Sequence, residues 1–102
     1  MTADELAARI RAGTAPQILD VRSNMEYARA HIPGAVHVPF WAVPARGAGP
    51  EARPDEPVVV YCGHGPRAQM AAAALRRKGF RRVELLRGHW RAWQRVDAPL
   101  ER

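Results

Sequence analysis

The sequence predicts an α/β domain, a small and mostly parallel sheet with helices on its faces. Three observations carry this. Strand-like and helical segments alternate along the chain with short links, the pattern of parallel strands joined by crossover helices. Val58–Tyr61 is apolar throughout, as a central strand covered on both faces must be. The chain has 102 residues, 47% of them hydrophobic. That is enough for one core and too little for two, so a single domain over residues 1–102 is expected.

The elements follow in order. Thr2 with Glu5 forms a capping box, and Leu6 and Ile10 then fall on one helical face. Gly13 is a helix stop. Gln17–Val21 is an apolar run of strand length. Ser23 and Glu26 make a second capping box, opening a short helix to about Arg29. Pro33-Gly34 breaks the chain, and Ala35–Val38 reads as another short strand. Residues Pro44 to Pro57 hold four prolines and two glycines, which predicts a mobile loop within the domain. After the Val58–Tyr61 strand, Cys62–Pro66 is a tight loop. Arg67–Lys78 is rich in alanine and helical, and Gly79 ends it. Val83–Leu86 is a last strand and Trp90–Val96 a last helix.

Composition excludes several classes. No apolar run approaches the roughly 18–20 residues of a membrane helix. The first residues show neither the basic stretch nor the apolar run of a signal peptide, so cytoplasm is the default expectation. One cysteine, Cys62, rules out an internal disulfide. The four histidines, His31, His37, His64 and His89, are scattered, and no spacing suits a metal. Fifteen of the sixteen basic residues are arginine, and the formal charge is +6. That charge points to anionic partners. The arginines are spread along the chain without interleaved aromatic residues, which favours a solvated basic face over specific nucleic-acid binding.

The chemistry is expected at Cys62. It ends a buried strand and opens a loop leading into a helix, and ligands of open α/β sheets sit at the carboxyl ends of strands. The helix N-terminus supplies partial positive charge and free N–H groups, and Arg67 adds a full charge. All three favour the thiolate, which is the nucleophile. Gly63 and Gly65 let the backbone curl so that successive amides point inward. Pro66 suits the first helical position. The cradle would use the amides of Gly63, His64, Gly65, Arg67 and Ala68. A buried, inert cysteine beside an ordinary turn is the alternative.

Four stretches, in this order, resemble the signatures of the single-domain rhodanese family. They are Leu19–Arg22 with Glu26-Tyr27, His31–Ala35 with Val38-Pro39, Val60–Arg67, and Leu86–Trp90 with Trp93. The resemblance runs from about residue 3 to the end and implies the rhodanese-like three-layer fold. It also implies a mechanism without a cofactor. Cys62 takes the outer sulfur of thiosulfate or a low-molecular-weight persulfide and holds it as a persulfide. Cyanide or a thiol then removes it. Such two-step covalent transfer gives ping-pong kinetics. In related phosphatases of the Cdc25 type the loop from cysteine to arginine is one residue longer. Here Cys62 to Arg67 is six residues, which disfavours that activity. Gly63 stands where many thiosulfate-using relatives carry a basic residue, and Ala68 where a hydroxyl is common.

Asp20 and Arg22, at the end of a strand, are expected to support the site by ordering loops. His64 could contact substrate or simply face solvent. His31 anchors a turn; His37 and His89 carry no functional signal. Trp41 suits either the pocket mouth or a rim, and Trp90 and Trp93 should pack on the sheet. The rival to small-molecule transfer is a carrier that passes persulfide to a protein acceptor. In that case the basic surface and the 44–57 loop would be the docking region. An inactive regulatory domain is a third reading, against which the intact cysteine argues.

Overall fold

The computed structural model describes residues 1–102. Its four strands are β1 (Gln17–Asp20), β2 (Val36–His37), β3 (Val58–Tyr61) and β4 (Val83–Leu85). They form one parallel sheet in the order β2-β1-β3-β4. Five α-helices connect and flank them: α1 (Ala3–Arg11), α2 (Asn24–Arg29), α3 (Val43–Arg46), α4 (Pro66–Arg77) and α5 (His89–Arg95). A single 3-10 turn, Phe40–Ala42, precedes α3. None of these helices is long and apolar enough to cross a membrane.

Strand periodicity divides the interior into two small cores. Ile18, Val59 and Tyr61 face one way and meet Leu6, Ile32, Leu86 and Trp93. Leu19, Val58, Val60 and Cys62 face the other way and meet Val43, Ala71 and Leu75. Successive strand side chains alternate between faces, so neighbours in sequence serve opposite cores. Tyr61 and Cys62 therefore lie side by side on opposite faces of the sheet.

Both capping boxes form. Thr2 accepts from the Glu5 N–H and Ser23 from the Glu26 N–H, while each glutamate accepts from the N–H of its cap residue. Most of the 44–57 segment is loop, as expected, but its first residues form a helical turn. Pro44 sits in the one-turn α3, and Ala48 is buried. The Gln17 side chain accepts from the Arg53 N–H at 2.7 Å and donates to the Arg53 carbonyl at 3.0 Å. Those bonds fix the far part of the segment to the amino end of β1. The opposite, carboxyl end of the sheet carries Cys62, so this part of the segment lies away from it. β2 is only two residues long, because the segment turns away at Pro39 into the 3-10 turn.

Candidate active site

The site is built where β3 meets α4. Pro66 is the first residue of α4, as its missing N–H and fixed φ allow. Gly65 precedes it at φ 141°, a conformation that favours glycine. This turn aims the Gly65 N–H at Cys62 Sγ, 3.0 Å away. The amides of Gly63, His64, Arg67 and Ala68 donate to no acceptor within the protein. Five expected cradle amides are thus brought to one loop; one holds the sulfur and four are free. The Cys62 side chain is fully buried beneath them.

Arg67 differs from expectation. Its guanidinium makes a two-pronged pair with Glu26 of α2, with Nη1 to Oε1 at 2.7 Å and Nη2 to Oε2 at 3.2 Å. Those hydrogen bonds raise the arginine above its ordinary value, with attraction to Glu26 and to a charged Cys62 adding less. The same bonds, joined by the Ser23 cap, pull Glu26 down to about 2. The positive charge beside the loop is thus largely balanced by a carboxylate. Arg67 crosses directly over Gly63: a Cβ there would stand 3.0 Å from Nη2. The absence of a side chain at Gly63 makes room for this crossing.

Asp20 and Arg22 form a buried ion pair beside the loop, at 0% and 3% exposure. Arg22 Nη2 donates to Asp20 Oδ2 at 2.8 Å, and the Arg22 N–H donates to Oδ1 at 2.9 Å. In the sheet register Asp20 stands opposite Tyr61, whose hydroxyl donates to Asp20 Oδ2 at 2.6 Å. Burial, then the charge of Asp20, push the Tyr61 phenol far above its usual range. Arg22 also donates to the Ala30 carbonyl and lies 4.3 Å from the Trp90 ring centroid, within cation–π range. Trp93 is buried against the sheet as expected, whereas Trp90 is half-buried over Arg22.

Three residues of the site lie in stretches that resemble family signatures, but the sequence assigns none of them a role of its own. The local role of Glu26 is its capping box. Tyr61 reads as one more apolar strand residue. His89 is buried at the start of α5 with φ 53°. Its Nδ1 accepts from the Cys62 N–H at 3.3 Å, and its Nε2 lies 3.7 Å from where a Gly65 Cβ would be. Burial, and to a lesser degree repulsion from His64, lower its basicity. A neutral ring therefore underlies the loop. His64 itself is exposed. His31 does anchor a turn, with Nδ1 2.8 Å from the Tyr27 carbonyl and backbone pairing to Glu101. No three His, Cys, Asp or Glu side chains converge as a metal site would need.

A family model described as the rhodanese-like domain matches residues 2–96. The chain is 36% identical over 94 residues to the thiosulfate sulfurtransferase GlpE of Pseudomonas paraeruginosa, covering 92% of this chain and 83% of that one. It is 41% identical over 66 residues to the putative sulfur carrier protein YrkF of Bacillus subtilis. That alignment covers 65% of this chain and 35% of YrkF, so the chain spans about a third of that relative. Among solved structures, the Alr3790 protein from Anabaena sp. superposes with a TM-score of 0.89 at 30% identity, over 99% of this chain and 80% of that one.

Proposed function

The chain belongs to the rhodanese-like family, and from that premise we propose that it is a sulfurtransferase carrying sulfur on Cys62. The Cys62 thiolate attacks the outer sulfur of thiosulfate or of a low-molecular-weight persulfide. A bond forms between Sγ and that sulfur. The bond from that sulfur to its former neighbour breaks, and sulfite or a thiolate leaves with the electron pair. Cyanide or an acceptor thiolate then attacks the outer sulfur of the persulfide, and Sγ departs as the thiolate. No redox partner is consumed.

The observation that carries this reading is the Gly65 N–H on Sγ with four neighbouring amides free. On this reading one donor stabilises the thiolate, and the free ones stabilise the negative charge on the transferred sulfur or on the leaving group. The balanced Arg67–Glu26 pair bears on the donor. Thiosulfate is a dianion, and at the loop it would meet a carboxylate as well as a guanidinium. A persulfide brings less charge to the sulfur itself and suits this loop better.

Incubation with thiosulfate or glutathione persulfide, followed by intact mass under non-reducing conditions, tests the reading. The expected result is a gain of one sulfur that cyanide removes and that Cys62→Ser lacks. A folded protein that gains no sulfur from either donor would overturn it.

A further inference from the structure

We propose that the face around the Cys62 loop docks a protein sulfur acceptor whose receiving cysteine is flanked by acidic residues. The proposal takes from the sulfur-transfer reading only the identity of what is passed on.

The first observation is a groove of about 590 Å³ along α5. Arg87, Arg91 and Arg95 line it, and so does His64 of the active loop. Residues four apart lie one above another on a helix, roughly 5–6 Å between Cβ atoms. Arg91 and Arg95 therefore form a row that Arg87 continues just ahead of α5. Asp4 is the only carboxylate lining the groove. None of the three arginine side chains forms a hydrogen bond or ion pair within the protein. The row also has a fixed relation to the sulfur, because the Trp90 N–H in the first turn of α5 donates to the Cys62 carbonyl at 3.0 Å. A single small anion would meet one or two of these guanidinium groups. A run of carboxylates meets them all.

The second observation concerns apolar surface. The three most exposed large apolar side chains are Met25 at 74%, Trp41 at 71% and Met70 at 61%. Each lies on an element that leaves the carboxyl end of a strand: α2 after β1, the 3-10 turn after β2, and α4 after β3. A donor the size of thiosulfate makes no use of such side chains. A protein surface does, and tryptophan and methionine are enriched where proteins meet. Apolar surface on elements that leave the carboxyl end of the sheet, together with unpaired arginines beside the active loop, fits an acidic protein partner better than a small thiol.

The test begins with protein already loaded with sulfur on Cys62, so that the donor step drops out. Transfer is timed to the peptide Glu-Glu-Cys-Glu-Glu, to its glutamine counterpart and to glutathione. At low salt the glutamate peptide should accept sulfur about tenfold faster than the other two. The advantage should shrink as salt shortens the range of charge interactions. Arg91→Ala with Arg95→Ala should remove it. Arg81→Ala with Arg82→Ala makes the same change in charge at the amino end of the sheet and should leave it intact. Equal rates for all three acceptors, or equal losses in the two double variants, would overturn the proposal. If Cys62 cannot be loaded, the sulfur-transfer reading fails and the groove is tested on its own. The serine form of the glutamate peptide should then bind about tenfold more weakly to the Arg91/Arg95 variant than to the Arg81/Arg82 variant. Equal affinities would overturn it.

Discussion

Two polar clusters lie side by side at the carboxyl end of the sheet, and they treat their hydrogen-bonding groups in opposite ways. Asp20 of β1, Arg22 just beyond it and Tyr61 at the end of β3 satisfy one another. Each buried side-chain polar atom has a partner, and the Arg22 head is further held by Ala30 and Trp90. At the end of β3, the Cys62 loop directs one amide at the sulfur and leaves four without an acceptor. A satisfied network is rigid and has nothing left to offer a ligand. A preorganised set of free donors stores the opposite capacity, because it stabilises charge without having to rearrange. On the proposed reading the first cluster is scaffold and the second the place of reaction.

Breaking the satisfied side should produce the largest change in stability. Asp20→Ala strands the Arg22 guanidinium in the interior and takes the acceptor from Tyr61. Removing one partner of a buried pair costs about 3–5 kcal/mol. For a domain of this size that is a large share of the usual total. Urea unfolding of Asp20→Ala should show that loss, and Asp20→Asn, which keeps the shape and an acceptor, a smaller one. A change below about 1 kcal/mol would mean that the pair is not what holds this end of the sheet together.

The sequence made the two clusters unequally legible. The Cys62 loop is local: cysteine, two glycines, proline and arginine lie within six residues, and backbone sterics turn that order into a strand–loop–helix. The fold was legible for a similar reason, since capping boxes at Thr2 and Ser23 and the apolar run at Val58 act over a few residues. What stayed hidden depends on contacts across the chain. Arg67 meets Glu26 across 41 positions, and Tyr61 meets Asp20 across the same separation. Glu26 already had a local role in its capping box, and its place in a signature-like stretch does not name Arg67 as its partner. His89 meets Cys62 across 27 positions, and a lone histidine after a glycine carries no mark of that. The 44–57 segment is mostly loop, as its prolines and glycines predict, but the sequence does not show that its far part is tied to Gln17.

His89 sharpens the comparison from beneath the loop, because it is the one titratable ring that holds the Cys62 amide. Its basicity is lowered from the ordinary 6.5, chiefly by burial. As pH falls below that value the unfolded chain takes up a proton that the folded chain resists. Native stability must then decline until the folded histidine also titrates, by at most about 1.4 kcal/mol per pH unit. Asparagine tolerates the left-handed backbone found at this position and keeps a side-chain acceptor. His89→Asn should therefore flatten the decline between pH 6.5 and 5 while leaving the fold intact. His31, His37 and His64 remain in both proteins, so the difference between the two profiles isolates His89. Profiles that run parallel would remove the ring from the account of the loop.

The smallest effect is expected where the two clusters come closest in character, at the Arg67–Glu26 pair. The Glu26 side chain is 40% exposed, so the pair is screened and worth less than about 1 kcal/mol to stability. Its consequence for the loop is electrostatic. Glutamine at this position keeps the capping box, whose third residue can be either Glu or Gln, but leaves Arg67 with its full positive charge beside the free amides. Glu26→Gln should thus unfold at nearly the same urea concentration as the parent protein. It should also reach half-maximal sulfur loading at a severalfold lower thiosulfate concentration, a shift expected of one unpaired charge beside the loop. The gain should be smaller for glutathione persulfide, which brings less charge to the sulfur. A rise in the thiosulfate concentration required would carry the opposite lesson. It would mean that Glu26 acts by aiming the guanidinium rather than by balancing it, and that the pair belongs with the satisfied cluster.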